Sequence, residues 1–391
     1  MFSRLGFAAR TAVRRGARHR GFHVAVVAGL GASLWCSNSG LGTQAFSAPI
    51  PAAPVAVPAA SLSGSQTTTR SVRVHQVGGT GNMVFDDLPI PSLSDDEILV
   101  DMVASGVNYI DTYHRTGLYK LPLPAVLGRE GAGTVAAVGK GVTKFRVGDS
   151  IAFIAPGSYT EKLVIKEAKG IQVPEGLRLE TAAAALLQGL TAHYLTTSSY
   201  PIQAGDSVLV HAGAGGTGGL IIQMAKLMGA TVYATASTPE KRQMCEDLGA
   251  DKALPYEGFS EAVREFTDGV GVNAVYDGVG AATAVGSMGC LKKRGYCILF
   301  GNASGKAPDI DPLTLTKMGS IFVTRPTLVH HIADPTEKAR RCADLFKWIN
   351  AGQVNVRIAE TFPLAEAGKA HDFLESRSAL GKVMLDCKSS A

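Results

Sequence analysis

The sequence predicts an α/β protein in which a doubly wound parallel sheet is inserted into a small β-rich barrel, and three observations lead there. At 391 residues the chain exceeds the size at which one hydrophobic core stops growing, so two domains of ordinary size are expected. Residues 71–173 carry short alternating apolar runs separated by turn residues, the spacing of a barrel. From Gly205 the rhythm changes to strand then helix, repeated, which implies a parallel sheet covered on both faces. Apolar residues at 46% and charged residues at 18% supply cores for both domains and exclude a disordered or coiled-coil chain.

Residues 1–70 are expected to be a disordered targeting leader outside the fold. They hold seven Arg, no Lys and no acid, and the first acidic residue is Asp86. Residues 24–35 form an apolar run too short to span a bilayer, which takes about 20 residues, yet long enough for the core of a signal peptide. Residues 37–69 are rich in Ala, Pro and Ser and bury too little apolar surface to fold. Two destinations fit. A signal followed by a transit segment explains the apolar run, and Ala45-Phe46-Ser47-Ala48-Pro49 resembles the Phe-containing cleavage motif of complex plastids, the destination expected first. The Arg-rich amphipathic start also suits a mitochondrial presequence.

Without the leader, 31 basic residues face 33 acidic ones, so neither a polyanion-binding face nor a nucleic-acid partner is expected. No membrane span is expected. Six cysteines without a C-x-x-C pair support neither a disulfide framework nor a zinc knuckle.

The first part of the barrel, 71–189, should place strands at 71–77, 97–105, 131–138, 150–154 and 159–165. The nucleotide-binding part, 190–326, should alternate strands at 207–210, 231–236, 252–256, 273–276 and 296–300 with helices at 218–228, 239–248 and 260–267. A helix at 336–350, a strand, a helix at 364–376 and a last strand at 381–385 are too few for a third domain, and 327–391 is assigned back to the barrel.

The run Ser207-Val208-Leu209-Val210 leads into Gly213-Ala214-Gly215-Gly216-Thr217-Gly218 and then a helical stretch. G-x-G-x-x-G between a strand and a helix lets a pyrophosphate approach closely and meet free N–H groups at the positive end of the helix dipole. A plain βα turn is the alternative, but this context favours dinucleotide binding. About twenty residues on, NAD-specific folds place an acid for the ribose 2′-hydroxyl. Here Ala236-Ser237-Thr238-Pro239 offers none, and Lys241 and Arg242 follow. Hydroxyls beside a cation suit a 2′-phosphate, so Ser237 and Lys241 point to NADPH, although solvated helix-surface cations would give the same pattern.

With these motifs in place, the stretch 205–226 resembles the zeta-crystallin type NADPH:quinone oxidoreductases of the medium-chain dehydrogenase/reductase superfamily. Further matching pieces are Gly106-Val107-Asn108-Tyr109-Ile110-Asp111-Thr112-Tyr113, Gly117-Leu118-Tyr119, Gly189-Leu190-Thr191 and Leu299-Phe300-Gly301-Asn302-Ala303-Ser304-Gly305. The resemblance covers nearly all of 71–386 and implies a GroES-like barrel with an inserted Rossmann domain, and a homodimer.

It also implies roles. Asn108, Tyr113 and Tyr119 would line the nicotinamide and substrate cleft, where an amide can bond a carboxamide or quinone oxygen and a tyrosine can supply a proton. Asp111 is read as a structural helix cap, and Tyr113 could equally be a packed side chain. Thr191 would bond the carboxamide, Tyr256 would approach the adenosine phosphate, and Phe300, Gly301, Asn302 and Ser304 would hold the nicotinamide half from its second side. Lys382 would reach the cofactor phosphates. His211 sits beside the glycine loop, and a histidine at a strand end is more often packed than catalytic.

Zinc-dependent relatives use a G-H-E motif and an early cysteine as ligands. This chain has Gly128-Arg129-Glu130 and no cysteine between Ser37 and Met244, so no metal site is expected. Without a Lewis acid, acceptors that spread the incoming charge by conjugation are favoured, namely quinones and enones. A 2-enoyl-thioester reductase is the alternative enzyme, and a non-enzymatic NADPH-binding crystallin or RNA binder the alternative class.

Overall fold

In the computed structural model, residues 68–388 are described. The expected leader therefore lies almost wholly outside the described residues, but its end at residue 70 is corrected: strand β1 (Thr68–Val74) has already begun there.

The barrel continues with β2 (Met83–Pro89), β3 (Glu97–Val107), helix α1 (Tyr109–Thr116), β4 (Ala125–Val126), β5 (Glu130–Val138), β6 (Ser150–Ile154), β7 (Lys162–Lys166) and β8 (Gly170–Gln172). β1 is central to a three-stranded antiparallel sheet with β2 and β4. A bridge between Ser71 and Thr160 joins it to the larger sheet, whose order from β8 is β6, β5, β3. β7 starts three residues later than expected because Tyr159 and Thr160 turn toward β1, where the Tyr159 carbonyl accepts the Val72 N–H at 2.9 Å.

Helix α2 (Leu179–Tyr194) runs straight through the expected junction at 189/190. Gly189, the last residue before that junction, serves packing, since a Cβ there would fall 2.7 Å from the Leu345 methyls. The alanines 182–185 are fully buried and let α2 lie close against small residues of the barrel, Ala104, Ala132 and Ala152, while its other side packs on the nucleotide domain. One helix thus belongs to both cores.

The nucleotide domain comprises β9 (Ser207–Val210), α3 (Gly216–Leu227), β10 (Thr231–Thr235), α4 (Pro239–Asp247), β11 (Lys252–Leu254), α5 (Phe259–Phe266), β12 (Val272–Asp277), α6 (Ala284–Gly289), β13 (Leu291–Leu299), α7 (Pro312–Lys317), β14 (Phe322–Thr324) and α8 (Leu328–His331). Its strands are parallel in the order β11-β10-β9-β12-β13-β14, so the order reverses between β9 and β12 and opens a crevice at their carboxyl ends. Val208 and Val210 pack into one core and Leu209 into the other, as expected for a strand buried on both faces.

After α9 (Pro335–Asn350) come β15 (Ile358–Pro363), α10 (Ala367–Glu375) and β16 (Lys382–Asp386). β16 pairs antiparallel with β3, which returns the chain to the barrel sheet and puts Val383 opposite Val107. All five described cysteines are buried free thiols. Among the described residues no helix is long and apolar enough to cross a membrane.

Candidate active site

A cavity of about 310 Å³ lies where the barrel meets the carboxyl ends of β9, β10, β12 and β13. Its centre is the glycine loop. α3 begins at Gly216 with Gly215 in the cap position, so the first N–H groups of the helix have no intrahelical partner and face this space. The loop is packed so closely that a Cβ on Gly218 would lie 2.3 Å from the Ala212 carbonyl oxygen, and one on Gly216 2.1 Å from Gln188 Oε1. Gly213 sits behind the wall, against Cys245, Ile222 and Ala234. Gly215, Gly216, Thr217 and Gly218 line the cavity.

At one end of the cavity stand Ser237, Lys241 and Tyr256. Thr238 caps α4 by accepting the Lys241 N–H, which fixes where the Lys241 side chain starts. Its ammonium donates to the carbonyl of Arg377, and Arg377 itself lines the same end. Sequence reasoning missed Arg377. It follows α10 with a left-handed φ of 60°, a conformation that no local pattern announces.

His211 is on the wall, yet both ring nitrogens are engaged, Nδ1 with Thr235 Oγ1 at 2.8 Å and Nε2 with Ser287 Oγ at 2.9 Å. Ser287 in turn donates to Asp277 at 2.7 Å. Burial pushes the His211 pKa down to about 4, so it is a packed neutral ring, with Tyr256 stacked 6.2 Å away.

The opposite end is lined by Val107, Asn108, Val279, Phe300 and Ala303. Asn108 is on the wall, but the expectation that its amide would bond a ligand is corrected. Nδ2 donates to Gly106 O at 3.1 Å and Glu130 Oε1 at 2.9 Å, and Oδ1 accepts from Lys382 at 2.7 Å. Lys382 is corrected too. It is buried rather than aimed at phosphates, and its ammonium donates to Val107 O, Asn108 Oδ1 and Glu130 Oε1 at 2.7–3.0 Å. Three acceptors use its three N–H groups.

Ser304 lines the cavity, but its hydroxyl donates to Val279 O at 2.8 Å and accepts the Ala282 N–H at 3.0 Å, which ties two loops together. Gly301 lies behind Phe300, where a Cβ would meet the Gly278 carbonyl oxygen at 2.3 Å. Thr191 is in α2 and donates to Leu187 O at 2.7 Å; it is not on the cavity wall.

Tyr113 and Tyr119 also stand off the wall, edge to face with ring centres 5.2 Å apart. The Tyr113 hydroxyl lies by the backbone of Asn302, which lowers its pKa, though burial dominates and raises it. Asn108, Tyr113 and Tyr119 therefore do not converge on one point. Asp111 is a cap: its Oδ2 accepts the Asn108 N–H at 2.9 Å. Among the described residues no three His, Cys, Asp or Glu side chains gather as a metal site requires.

Residues 94–200 match the family described as alcohol dehydrogenase GroES-like domain, and residues 216–346 that described as zinc-binding dehydrogenase. The chain is similar to a quinone oxidoreductase of Pseudomonas aeruginosa, at 42% identity over 74% of this chain and 90% of that protein. It is similar to a 2-haloacrylate reductase of a Burkholderia species, at 38% identity over 80% of this chain and 97% of that one. The crystal structure of Escherichia coli quinone oxidoreductase complexed with NADPH shares 37% identity and a TM-score of 0.79, covering 81% of this chain and 99% of its own. On this sequence and fold likeness, the chain belongs to the quinone oxidoreductase family of the medium-chain dehydrogenase/reductase superfamily.

Proposed function

We propose that the protein is an NADPH:quinone oxidoreductase acting on quinones and related conjugated carbonyl acceptors without a metal. The observation that carries this reading is the cavity itself, with free helix N–H groups at its centre and Lys241 and Arg377 together at one end. The donor set fits NADPH: the glycine cradle leaves room for a pyrophosphate, and two cations beside Ser237 suit a 2′-phosphate. That polarity leaves the end lined by Val107, Asn108 and Phe300 for the nicotinamide, against the switch point of the sheet. When bound there, NADPH supplies the hydride. Phe300 and Val107 give that end apolar surface, and the Lys382–Glu130 pair keeps Asn108 fixed on its wall. The Escherichia coli relative's complex with NADPH supports the assignment.

The 2-haloacrylate reductase relative favours a second reading, reduction of a carbon–carbon double bond conjugated to a carboxyl group, the chemistry an enoyl-thioester reductase also performs. Steady-state NADPH oxidation with naphthoquinone, benzoquinone, enone and enoyl-CoA acceptors decides between them. No turnover with any quinone would reject the first reading.

A homodimer is supported by the outer strand β14, which ends the parallel sheet and exposes Phe322. Sedimentation at micromolar concentration tests it. Import into a complex plastid, with the mitochondrion as the other destination, rests on the composition of residues 1–70 and is tested by a fusion of that segment to a fluorescent protein.

A further inference from the structure

Behind the wall formed by Val107, Asn108 and Val383 lies a cluster of ionisable groups cut off from water. Lys382, Glu130 and Asp111 are each at most 1% exposed, one ammonium against two carboxyls. Lys382 and Glu130 pair directly at 2.7 Å. Asp111 has no such partner. Its Oδ2 accepts the Asn108 N–H and, at 3.0 Å, the Tyr159 hydroxyl, while Oδ1 is buried without a hydrogen bond.

A directed chain of donors ends on that carboxyl. Arg115 Nη1 donates to His371 Nδ1 at 3.4 Å, His371 Nε2 to the Tyr159 oxygen at 3.1 Å, and Tyr159 to Asp111. The order requires a neutral His371, in keeping with its burial and the nearby Arg115, which push its pKa down to about 3. Arg115 is itself matched by a two-pronged contact with Glu375 at 2.8 and 3.0 Å. Burial also holds the Tyr159 hydroxyl and the neighbouring Cys387 thiol in their protonated forms. The charge of the cluster thus turns on Asp111, whose burial raises its pKa to about 7 against the pull of Asn108, Lys382 and Tyr159.

With Asp111 protonated the Lys382–Glu130–Asp111 cluster is neutral; with Asp111 ionised it carries one negative charge. It stands behind the wall assigned above to the nicotinamide, the part of the cofactor that is neutral when reduced and cationic when oxidised. We propose that the cluster senses the redox charge of the cofactor: Asp111 keeps its proton behind the reduced ring and releases it when the oxidised ring is bound, so that oxidised cofactor gains affinity as the pH rises. In that release the Asp111 O–H bond breaks, the electron pair stays on the carboxylate and the proton leaves to bulk water. Asp111 does not touch the cofactor; it is a positioning residue acting through charge and through the Asn108 N–H.

The inference rests on the cofactor site proposed above. In the effective dielectric of a protein interior, a neighbouring elementary charge changes a binding equilibrium on the order of tenfold. His211, the histidine on the cavity wall, stays neutral over the same range.

The test is titration of the full chain with NADPH and with NADP⁺ between about pH 6 and 8.5, followed by fluorescence and calorimetry, with the ratio of the two dissociation constants as the readout. The ratio cancels titration of the 2′-phosphate, which both forms carry. The relative affinity for NADP⁺ is expected to rise about tenfold with pH, with more net proton release near neutrality on binding NADP⁺ than on binding NADPH. Asp111→Asn should flatten the dependence. Tyr159→Phe removes a donor that favours the carboxylate, so it should move the midpoint to higher pH, and it serves if Asp111→Asn does not fold. A pH-independent ratio in the unmodified protein, an unchanged slope in Asp111→Asn, or an unmoved midpoint in Tyr159→Phe overturns the proposal. Binding of neither cofactor form would overturn the function proposed above and this inference with it, whereas binding with a flat ratio overturns this inference alone.

Discussion

Lys382 Nζ lies 2.7 Å from Glu130 Oε1 with both side chains at most 1% exposed, and Glu130 Oε2 accepts the Leu187 N–H at 2.6 Å. One ion pair therefore ties β16, β5 and α2 together behind the cavity. Removing the cation would strand a carboxylate in an apolar interior, so Lys382→Met should destabilise the protein by about 3–5 kcal/mol. Adding Glu130→Gln should recover much of that loss, because the uncompensated charge is then gone. Denaturant unfolding checks both variants, and equal midpoints for the single and double substitutions would contradict the pairing.

Gly216 and Gly218 fail differently as alanines. At Gly218 the new methyl would meet the Ala212 carbonyl oxygen at 2.3 Å, a backbone atom that cannot step aside. At Gly216 it would meet the end of the Gln188 side chain at 2.1 Å, which can. Gly218→Ala should therefore cost roughly 1–3 kcal/mol and most of the NADPH affinity. Gly216→Ala should cost less stability, and Gln188→Ala should relieve it further. Denaturant midpoints and fluorescence titration of the four proteins test the contrast; a larger effect at Gly216 than at Gly218 would reverse it.

Lys241 and Arg377 come from different domains and meet through the Arg377 carbonyl. If both face the 2′-phosphate, Lys241→Ala and Arg377→Ala should each weaken NADPH by roughly 1.5–3 kcal/mol, about tenfold or more, and leave NADH almost unchanged. Equal dissociation constants for NADPH and NADH in the unmodified protein would remove both residues from that role.

How much of this was legible in the sequence follows from the range of the interactions involved. β9 and the glycine loop were readable because a buried strand, a tight turn and a helix start are all specified within about twenty residues of contiguous chain. Lys382 was misassigned because its direction is set by the pairing of β16 with β3, some 275 residues away in the chain, and by a carboxylate on a third strand. Gly189 was taken for a boundary because only the later packing of Leu345 explains why a helix interior needs a glycine there. Arg377 stayed hidden for the same reason: its closeness to Lys241 is a contact between domains.

Tyr119 separates quinone from enoyl chemistry. Its ring is 36% exposed, stacked edge to face on Tyr113, and its backbone N–H donates to Tyr113 O at 3.0 Å, so the ring is positioned while its hydroxyl makes no hydrogen bond among the described residues. Reduction of a conjugated carbon–carbon double bond next to a carboxyl or thioester leaves an enolate that must be protonated. A positioned tyrosine acid contributes about 10²–10⁴-fold to such a step. A reduced quinone spreads its charge over the ring and can take its proton from water. For a quinone reductase, Tyr119→Phe should lower kcat/KM with naphthoquinone less than about tenfold, whereas for an enoyl reductase it should remove most turnover with enoyl-CoA. Measuring kcat/KM for both acceptors in both proteins checks this. A preference of the unmodified protein for enoyl-CoA, joined to a loss of about a hundredfold or more in Tyr119→Phe, would establish the second chemistry in place of the first.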